Sequence, residues 1–225
     1  MHTQTADLVF LPGWSFHASI FEMLTPHLQK HRLHFIDLPS LHFHDTHTRS
    51  EFVSALPTPS TLIGWSLGGL LAISMCASHP LKFNKLILLA SSPKFVADEN
   101  HPGINSHTAN DFLLRASQDA EGLLADFHKL VCMPSHSTRA HLKSHAMNNA
   151  HTTLSQLKYL ISADFRNEYA KLTLPILSIA GERDAVLPPT TSNNIIIAGA
   201  GHAFSFTHHD EVCRHILNFQ DSSNE

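Results

Sequence analysis

The 225-residue sequence has few cysteines, no excess of positive charge and no long run of apolar residues. Its three cysteines, Cys76, Cys132 and Cys213, are odd in number and lack C-x-x-C spacing, which indicates reduced thiols in a cytoplasmic protein. The formal net charge of -4 does not favour a nucleic-acid partner, because such partners usually require a basic excess. No apolar run approaches the roughly 20 residues that span a bilayer, and the first residues carry no basic segment. We therefore expect neither membrane association nor a signal peptide.

Histidine, by contrast, is abundant, with 20 copies. Two groups have spacings that metal sites use. These are His42, His44 and His47 in an expected loop, and His141 with His145 at i, i+4 spacing. Neither group is accompanied by the glutamate of an H-E-x-x-H motif or by nearby cysteines. We therefore interpret both groups as solvated surface histidines and predict no metal and no cofactor.

Strand-like apolar runs alternate with helix-like segments, which predicts an α/β fold with a mostly parallel sheet and helices on both faces. We expect strands at residues 7–11, 33–36, 61–65, 85–90, 175–180 and 193–198, and helices at 19–31, 48–56, 67–78 and 209–219. The alternation stops over residues 91–168, which are mostly helix-like. An insertion of this length between two strands is typical of a lid over a binding site. We therefore expect a core formed by residues 1–90 and 169–225 and a helical lid formed by residues 91–168.

The most specific motif is G-x-S-x-G at residues 64–68, between an apolar strand and a helix that Pro80 ends. A serine at such a turn is held in a strained conformation that exposes its Oγ, and Gly64 and Gly68 leave room for the bend. This arrangement is the nucleophile elbow of α/β-hydrolases, so the sequence predicts that fold with Ser66 as the nucleophile. A bare G-x-S-x-G is more often a simple turn, and the strand–turn–helix context is what favours catalysis.

A serine nucleophile needs a base and an orienting acid, which in this fold follow in the order serine, acid, histidine. Asp184 is the predicted acid, because it follows an apolar strand in a G-x-x-D-x-x-x-P stretch, and Glu182 is the nearby alternative. His202 is the predicted base, because it lies in a glycine-bounded loop between the last strand and the last helix. His208 and His209 compete with it, but they fall where that helix begins.

Acyl transfer places negative charge on the carbonyl oxygen, so an oxyanion hole is required. The backbone N–H of Leu67, which follows the nucleophile at a helix N-terminus, is one expected donor. The N–H of Trp14 is the other, since Gly13 lets the chain bend after the first strand. Pro12-Gly13 alone would be an ordinary turn signal. The predicted reaction is ester hydrolysis through an acyl-enzyme on Ser66.

Several segments together point to one family. They are Gly64-Trp65-Ser66-Leu67-Gly68-Gly69, Gly13-Trp14, Asp37-Leu38-Pro39, Ser91-Ser92-Pro93 with Phe95, Pro102-Gly103-Ile104 and Asp164-Phe165-Arg166. The triad motifs are common to many hydrolases, whereas Ser-Ser-Pro-x-Phe followed by Pro-Gly-Ile is much more particular. With them the chain resembles the pimeloyl-acyl carrier protein methyl ester esterases of biotin synthesis. The resemblance implies a cytoplasmic serine carboxylesterase that hydrolyses a methyl ester at the far end of a pimeloyl chain. It implies acyl carrier protein as the partner that bears the substrate, and we expect the enzyme to be a monomer.

The resemblance also implies substrate contacts, at Trp14, Ser66, Leu67, Phe127, His128, Lys129, Leu130, Val131 and His202. From the residues alone, Phe127, Leu130 and Val131 are apolar at helical spacing, which suits a helix core as well as a pocket lining. Arg139 and Lys143 match basic positions of the family's lid, and a basic face suits an acidic carrier protein. Exposed basic pairs are also common on solvated surfaces.

Two other functions stay open. A generalist short-acyl carboxylesterase or thioesterase would use the same triad without preferring a carrier-linked substrate. A non-catalytic, ligand-binding α/β-hydrolase would keep the fold while its site serves recognition. The full set of triad residues in the sequence argues against this last function.

Overall fold

The computed structural model describes residues 5–38, 46–147, 149–190 and 195–222. Its centre is a sheet of six strands, β1 (Asp7–Leu11), β2 (Arg32–Phe35), β3 (Ser60–Trp65), β4 (Phe83–Leu89), β5 (Ile176–Gly181) and β6 (Ile195–Ile197). The strand order is β2-β1-β3-β4-β5-β6, and neighbouring strands pair in parallel. Every residue of β3 is buried, as expected for a parallel strand covered on both faces. The predicted α/β fold is confirmed. Residues 193 and 194 of the last expected strand lie outside the described ranges.

The described helices are α1 (Thr46–Ser54), α2 (Leu67–Ser78), α3 (Ser106–Gln118), α4 (Ala120–Val131), α5 (Arg139–Ser144), α6 (Ala150–Ser162), α7 (Arg166–Tyr169), α8 (Phe204–Thr207) and α9 (His209–Asp221). The segment expected to be a helix at residues 19–31 is instead a 3-10 helix, Ala18–His27. Pro26 contributes to its early end, because proline lacks the N–H that a continuing helix needs. A second 3-10 helix spans His136–Thr138. None of the helices in the described ranges has the length and hydrophobicity to span a membrane.

Residues 91–168, which we call the insertion, connect β4 to its sheet neighbour β5. The insertion is largely helical, and α3, α4 and α6 pack together. Each of these helices begins at a side chain that accepts a backbone N–H of its first turn. The capping residues are Asn105, Asp119 and Asn149. Asparagine and aspartate are favoured at this position, so the sequence specifies where each helix starts.

The two ends of the insertion are joined by ion pairs beside the sheet. Lys94 Nζ lies 2.5 Å from Asp98 Oδ2 and 3.3 Å from Asp164 Oδ2. The Arg166 guanidinium lies 2.6 Å from Asp164 and 2.9 Å from Asp98. A hydrogen bond from Lys94 is the largest cause that lowers the pKa of Asp98, to about 2. The hydrogen bond from Arg166 is the main cause that lowers the pKa of Asp164. Both carboxylates therefore stay charged at neutral pH and connect the start of the insertion to its end.

Candidate active site

Ser66 lies at the sharp turn between β3 and α2. Its backbone has a φ of 54° and a ψ of −119°, a region that residues with side chains rarely adopt. Two hydrogen bonds hold this conformation. The N–H of Ser66 donates to the carbonyl of Leu89 at 2.9 Å, and Ser91 Oγ donates to the carbonyl of Ser66 at 2.7 Å. Ser91 was not identified by sequence reasoning, although it belongs to one of the segments that carry the family resemblance.

The two motif glycines are required by close backbone contacts around this turn. A Cβ at Gly64 would lie 2.4 Å from the backbone of Gly69, and one at Gly68 would lie 2.2 Å from the carbonyl oxygen of Leu11. Both distances are far below van der Waals contact. Helix α2 can therefore begin this close to the sheet only if both positions are glycine.

Asp184 and His202 form a buried hydrogen bond. His202 Nδ1 lies 2.8 Å from Asp184 Oδ2, and both side chains are 0% exposed. The second carboxylate oxygen of Asp184, Oδ1, accepts the N–H groups of Val186 and Leu187 at 2.8 and 2.9 Å. Because a carboxylate only accepts hydrogen bonds, Nδ1 of the neutral ring carries the proton and Nε2 keeps a lone pair.

The alternative acid, Glu182, and the alternative bases, His208 and His209, form hydrogen bonds with other groups. The carboxylate of Glu182 accepts the N–H of Gly199 at 2.7 Å. His208 Nδ1 pairs with the hydroxyl of its neighbour Thr207 at 2.8 Å, and His209 Nδ1 lies 3.0 Å from the carbonyl oxygen of Phe206. The observed pairing therefore favours Asp184 and His202.

His202 packs beside the strand end that carries the serine. Its ring centroid lies 5.4 Å from that of Trp65, and the indole N–H of Trp65 donates to the carbonyl of His202 at 3.0 Å. Nε2 of His202 is buried and has no hydrogen-bond partner among the described residues. Contacts between a base and its nucleophile are often long without substrate and shorten when substrate binds. His202 Nε2 and Ser66 Oγ are therefore not hydrogen-bonded to each other in this structure, although the ring of His202 packs on Trp65, the residue that precedes Ser66.

The N–H groups of Trp14 and Leu67 have no acceptor within the described ranges. Leu67 begins α2, and the first N–H groups of a helix lack intrahelical partners. The turn that precedes Trp14 adjoins the serine, since a Cβ at Gly13 would lie 3.2 Å from the Cβ of Ser66. Two unpaired donors thus lie on segments that flank Ser66, which is the arrangement expected of an oxyanion hole.

An apolar cavity of about 100 Å³ includes Ser66 and Trp14 in its wall. Most of the remaining wall comes from the insertion, including Phe112, Phe127 and Leu157. The Trp14 ring lies 4.6 Å from that of Phe127, centroid to centroid, and its N–H donates to a backbone carbonyl of α6 at 2.7 Å. The cavity therefore offers an apolar chain a place beside Ser66.

Comparison with known proteins agrees with this geometry. The sequence matches the Alpha/beta hydrolase family over residues 8–215. The chain belongs to this family. A protein of Vibrio vulnificus strain CMCP6 is 29% identical over 97% of this hydrolase and 97% of its own length, and one of Yersinia enterocolitica is 30% identical over 97% and 94%. Both are named Pimeloyl-[acyl-carrier protein] methyl ester esterase, which confirms the resemblance noted in the sequence.

Solved structures share the fold of this hydrolase at low sequence identity. A hydrolase from Oleispira antarctica superposes with a TM-score of 0.82 at 16% identity, covering 98% of this chain and 92% of its own. An esterase from Rhodococcus sp. ECU1013 superposes with a TM-score of 0.79 at 17% identity, covering 97% and 91%. Their likeness supports the α/β-hydrolase architecture.

In this hydrolase the predicted contact stretch 127–131 is divided among cavity, core and surface. Phe127 and Leu130 line the cavity, whereas Val131 is buried in the hydrophobic core. Lys129 faces solvent, where its Nζ lies 2.7 Å from Asp126 Oδ1. Neighbouring helical positions point in different directions, so one contiguous stretch cannot line one wall. In the described part of the chain, Leu67 and His202 also lie outside the cavity wall.

His128 faces the turn that carries the expected oxyanion donor. Its Nε2 lies 3.0 Å from Ser15 Oγ, and its ring packs on Phe16 with centroids 4.9 Å apart. Ser15 itself has a φ of 65°, so this contact supports a strained position. Burial, and then the positive charges of Lys143 and Arg139, lower the pKa of His128 to about 4. The ring is therefore neutral at pH 7 and supports the turn through a hydrogen bond.

The basic pair and the histidine groups have distinct positions. Arg139 and Lys143 are exposed on α5, and neither forms an ion pair with a carboxylate in the ranges described. His42 and His44 lie outside the described residues. The interpretation of His145 as a solvated surface histidine is wrong, because that residue is 6% exposed. It is enclosed between the first 3-10 helix and α5. These two segments are far apart in the sequence, so local spacing does not reveal their contact.

Proposed function

We propose that this hydrolase is a serine carboxylesterase that cleaves the methyl ester of a pimeloyl chain borne by acyl carrier protein. The observation that carries the proposal is an apolar cavity with Ser66 in its wall, together with the buried hydrogen bond between His202 and Asp184. The relatives named for this activity align over nearly the whole chain, which supports the choice of substrate. A cytoplasmic location accompanies the proposal, in keeping with three buried, unpaired cysteines.

The proposed mechanism uses one proton carrier for both half-reactions. Ser66 Oγ attacks the ester carbonyl while His202 Nε2 takes the serine proton, and Asp184 holds the resulting imidazolium through Nδ1–H. The N–H groups of Leu67 and Trp14 stabilise the oxyanion. His202 then protonates the departing methanol, leaving the acyl group on Ser66. In the second step His202 deprotonates a water molecule, whose oxygen attacks the acyl carbonyl. The bond between the acyl carbon and Ser66 Oγ then breaks, His202 returns the proton to the serine, and the acyl chain leaves with a free carboxylate.

The insertion is proposed to act as a lid that selects the acyl chain, with residues 1–90 and 169–225 as the catalytic core. It supplies most of the apolar wall, and each methylene group transferred from water to such a surface gains roughly 0.8 kcal/mol. A short acyl group would leave much of this surface unused. Chain length should therefore affect kcat/KM even though the reacting groups are unchanged.

The activity is tested by supplying the methyl ester of carrier-linked pimeloate and, in parallel, a short activated ester. We expect methanol release with a clear preference, in kcat/KM, for the carrier-linked substrate. Equal rates would favour a generalist short-acyl esterase or thioesterase. Rescue of a biotin-requiring bacterium that lacks its own methyl ester esterase tests the same function in cells, with Ser66→Ala as the inactive control.

Filling the cavity is expected to discriminate against long acyl chains. Ala109 is buried in the wall, and Ala109→Leu should lower kcat/KM for the pimeloyl ester about tenfold, because one misplaced methylene group costs roughly 1–3 kcal/mol. Acetyl ester hydrolysis should change little. Asn110→Leu places the same side chain on the exposed face of α3 and is the matched control. An equal loss with both esters would contradict a chain-length role for this wall.

Reversing the basic pair is expected to weaken recognition of the carrier alone. The double variant Arg139→Glu/Lys143→Glu should raise KM for the carrier-linked substrate about tenfold, since complementary charge steers association. The short ester, which has no carrier, should be hydrolysed as before. Lys30→Glu/Lys171→Glu makes the same charge change at exposed positions outside the insertion. If both double variants raise KM equally, overall charge rather than a docking face would account for the effect.

A further inference from the structure

A group of metal-binding side chains lies where the insertion meets the first 3-10 helix, apart from the catalytic residues. Glu22 belongs to that helix, His141 to α5, and His145 directly follows α5. One ligand atom from each residue lies within 4.8 Å of the other two. Sequence spacing pairs the two histidines, but Glu22 is 119 residues from His141 along the chain. Only the fold supplies the carboxylate that the sequence pattern lacks.

The distances suit a tetrahedrally coordinated ion. Glu22 Oε1 lies 2.8 Å from His141 Nε2 and 3.3 Å from His145 Nε2. Zinc binds nitrogen and oxygen at about 2.0–2.2 Å, which places neighbouring tetrahedral ligands about 3.3 Å apart. His145 is already at this separation from the carboxylate. His141 is exposed, so its ring can adjust when the hydrogen bond to Glu22 is exchanged for a metal bond.

His145 provides the second, independent observation. Its Nε2 atom is buried and has no hydrogen-bond partner among the described residues, although Glu22 Oε1 is only 3.3 Å away. The oxygen therefore lies to one side of the direction along which Nε2 would form a hydrogen bond. Ligands of one ion are placed in this way, because the ion itself occupies the lone-pair direction. A buried, unpaired nitrogen aimed into the cluster is costly unless a ligand binds there.

The surroundings of His145 also resemble those of a metal-binding imidazole. Ser19 Oγ lies 2.8 Å from Nδ1, the ring nitrogen that faces away from Glu22. A hydrogen bond at this second nitrogen fixes the ring and leaves the first free to bind metal. The Phe206 ring packs on His141 and His145, with centroids 4.8 and 6.4 Å away. This apolar cover limits the access of water from that side.

We propose that Glu22, His141 and His145 bind a transition-metal ion of the zinc class, which fastens the insertion to the first 3-10 helix. Two imidazoles and one carboxylate favour zinc, cobalt or nickel over magnesium or calcium. Three protein ligands leave a fourth position for water. The proposal does not depend on esterase activity, because none of the three side chains belongs to the proposed catalytic machinery.

The test must separate this site from the other histidines. His27, His209 and Asp210 also lie together, so His27→Ala/His209→Ala serves as the background variant. We expect the background protein to bind one Zn²⁺ ion, measured by competition with a chromophoric chelator. Adding Glu22→Gln or His141→Ala should weaken that binding at least tenfold. Zn²⁺ should raise Tm in the background protein, whereas Mg²⁺ should not.

Two further measurements test the geometry of the bound ion and the folding of the variants. Co²⁺ should give the intense visible absorption of a tetrahedral site in the background protein, and Glu22→Gln should remove it. Far-UV circular dichroism verifies that each variant is folded, and Glu22→Gln preserves side-chain size. If the folded background protein binds Zn²⁺ equally well with and without Glu22→Gln, the ion is held by scattered surface histidines and the proposed site is overturned.

Discussion

Ser66→Ala is expected to lower kcat/KM for ester hydrolysis by about ten-thousand-fold or more, because the hydroxyl that forms the acyl-enzyme is removed. Alanine keeps the Cβ of serine, so the strained backbone at position 66 should persist and the fold should be unchanged. Methanol release from the carrier-linked ester measures the loss. Labelling by a serine-directed phosphonate should disappear in the same variant.

The neighbouring serine provides the matched control. Ser91 donates its hydroxyl to the carbonyl of Ser66 and touches no reacting atom in the proposed mechanism. Ser91→Ala should therefore reduce activity far less and leave phosphonate labelling at Ser66 intact. A wild-type protein that resists the phosphonate would instead favour the non-catalytic, ligand-binding hydrolase. Substantial methanol release by Ser66→Ala would remove the serine mechanism.

The sheet and the sharp turn at Ser66 could be predicted because their signals are local. The buried apolar runs of β3 and β5 identify strands within one or two residues. The glycines around Ser66 specify a turn that other residues would obstruct. The order serine, acid, histidine along the chain then limited the candidate acids and the candidate bases to a few residues. A contact between neighbours in sequence, or a fixed order along the chain, is what a sequence reveals most directly.

The choice between Asp184 and Glu182 required the fold. Both carboxylates follow β5 and are two residues apart, so strand position favours neither strongly. The bend after the strand directs Glu182 to the N–H of Gly199 and Asp184 to His202. Which of the two carboxylates meets His202 depends on how the loop after β6 returns to the turn after β5. Contacts of this kind join segments whose spacing in the chain carries no periodic signal.

The insertion was the least predictable part for the same reason. Helical character could be inferred from composition and caps, but the face that each helix presents depends on its neighbours. Lys129 and Leu130 are adjacent in sequence, yet one faces solvent and the other lines the cavity. His145 is buried because α5 returns to the first 3-10 helix. A substrate contact carried over from relatives therefore needs the packing of this chain before it can be assigned to a wall.

Asp184→Asn is expected to lower kcat/KM about ten-thousand-fold by imposing the wrong histidine tautomer. Oδ1 of Asp184 accepts two N–H groups, from Val186 and Leu187, so the amide oxygen of asparagine should take that position. Its NH₂ group would then face Nδ1 of His202 as a donor. The neutral His202 ring would then have to accept this hydrogen bond with a lone pair at Nδ1, so its proton would lie on Nε2. Nε2 could no longer accept the proton of Ser66.

Glu182→Gln is the matched control for this substitution, because it makes the same carboxylate-to-amide change two residues away. Its side chain accepts one N–H, from Gly199, which an amide oxygen can also accept. Activity should therefore stay within a few-fold of wild type. Steady-state kinetics on the carrier-linked ester distinguish the two variants, with Tm measured for both. A larger loss in Glu182→Gln than in Asp184→Asn would transfer the orienting role to Glu182. Similar, small losses in both would mean that His202 acts without a carboxylate to orient its ring.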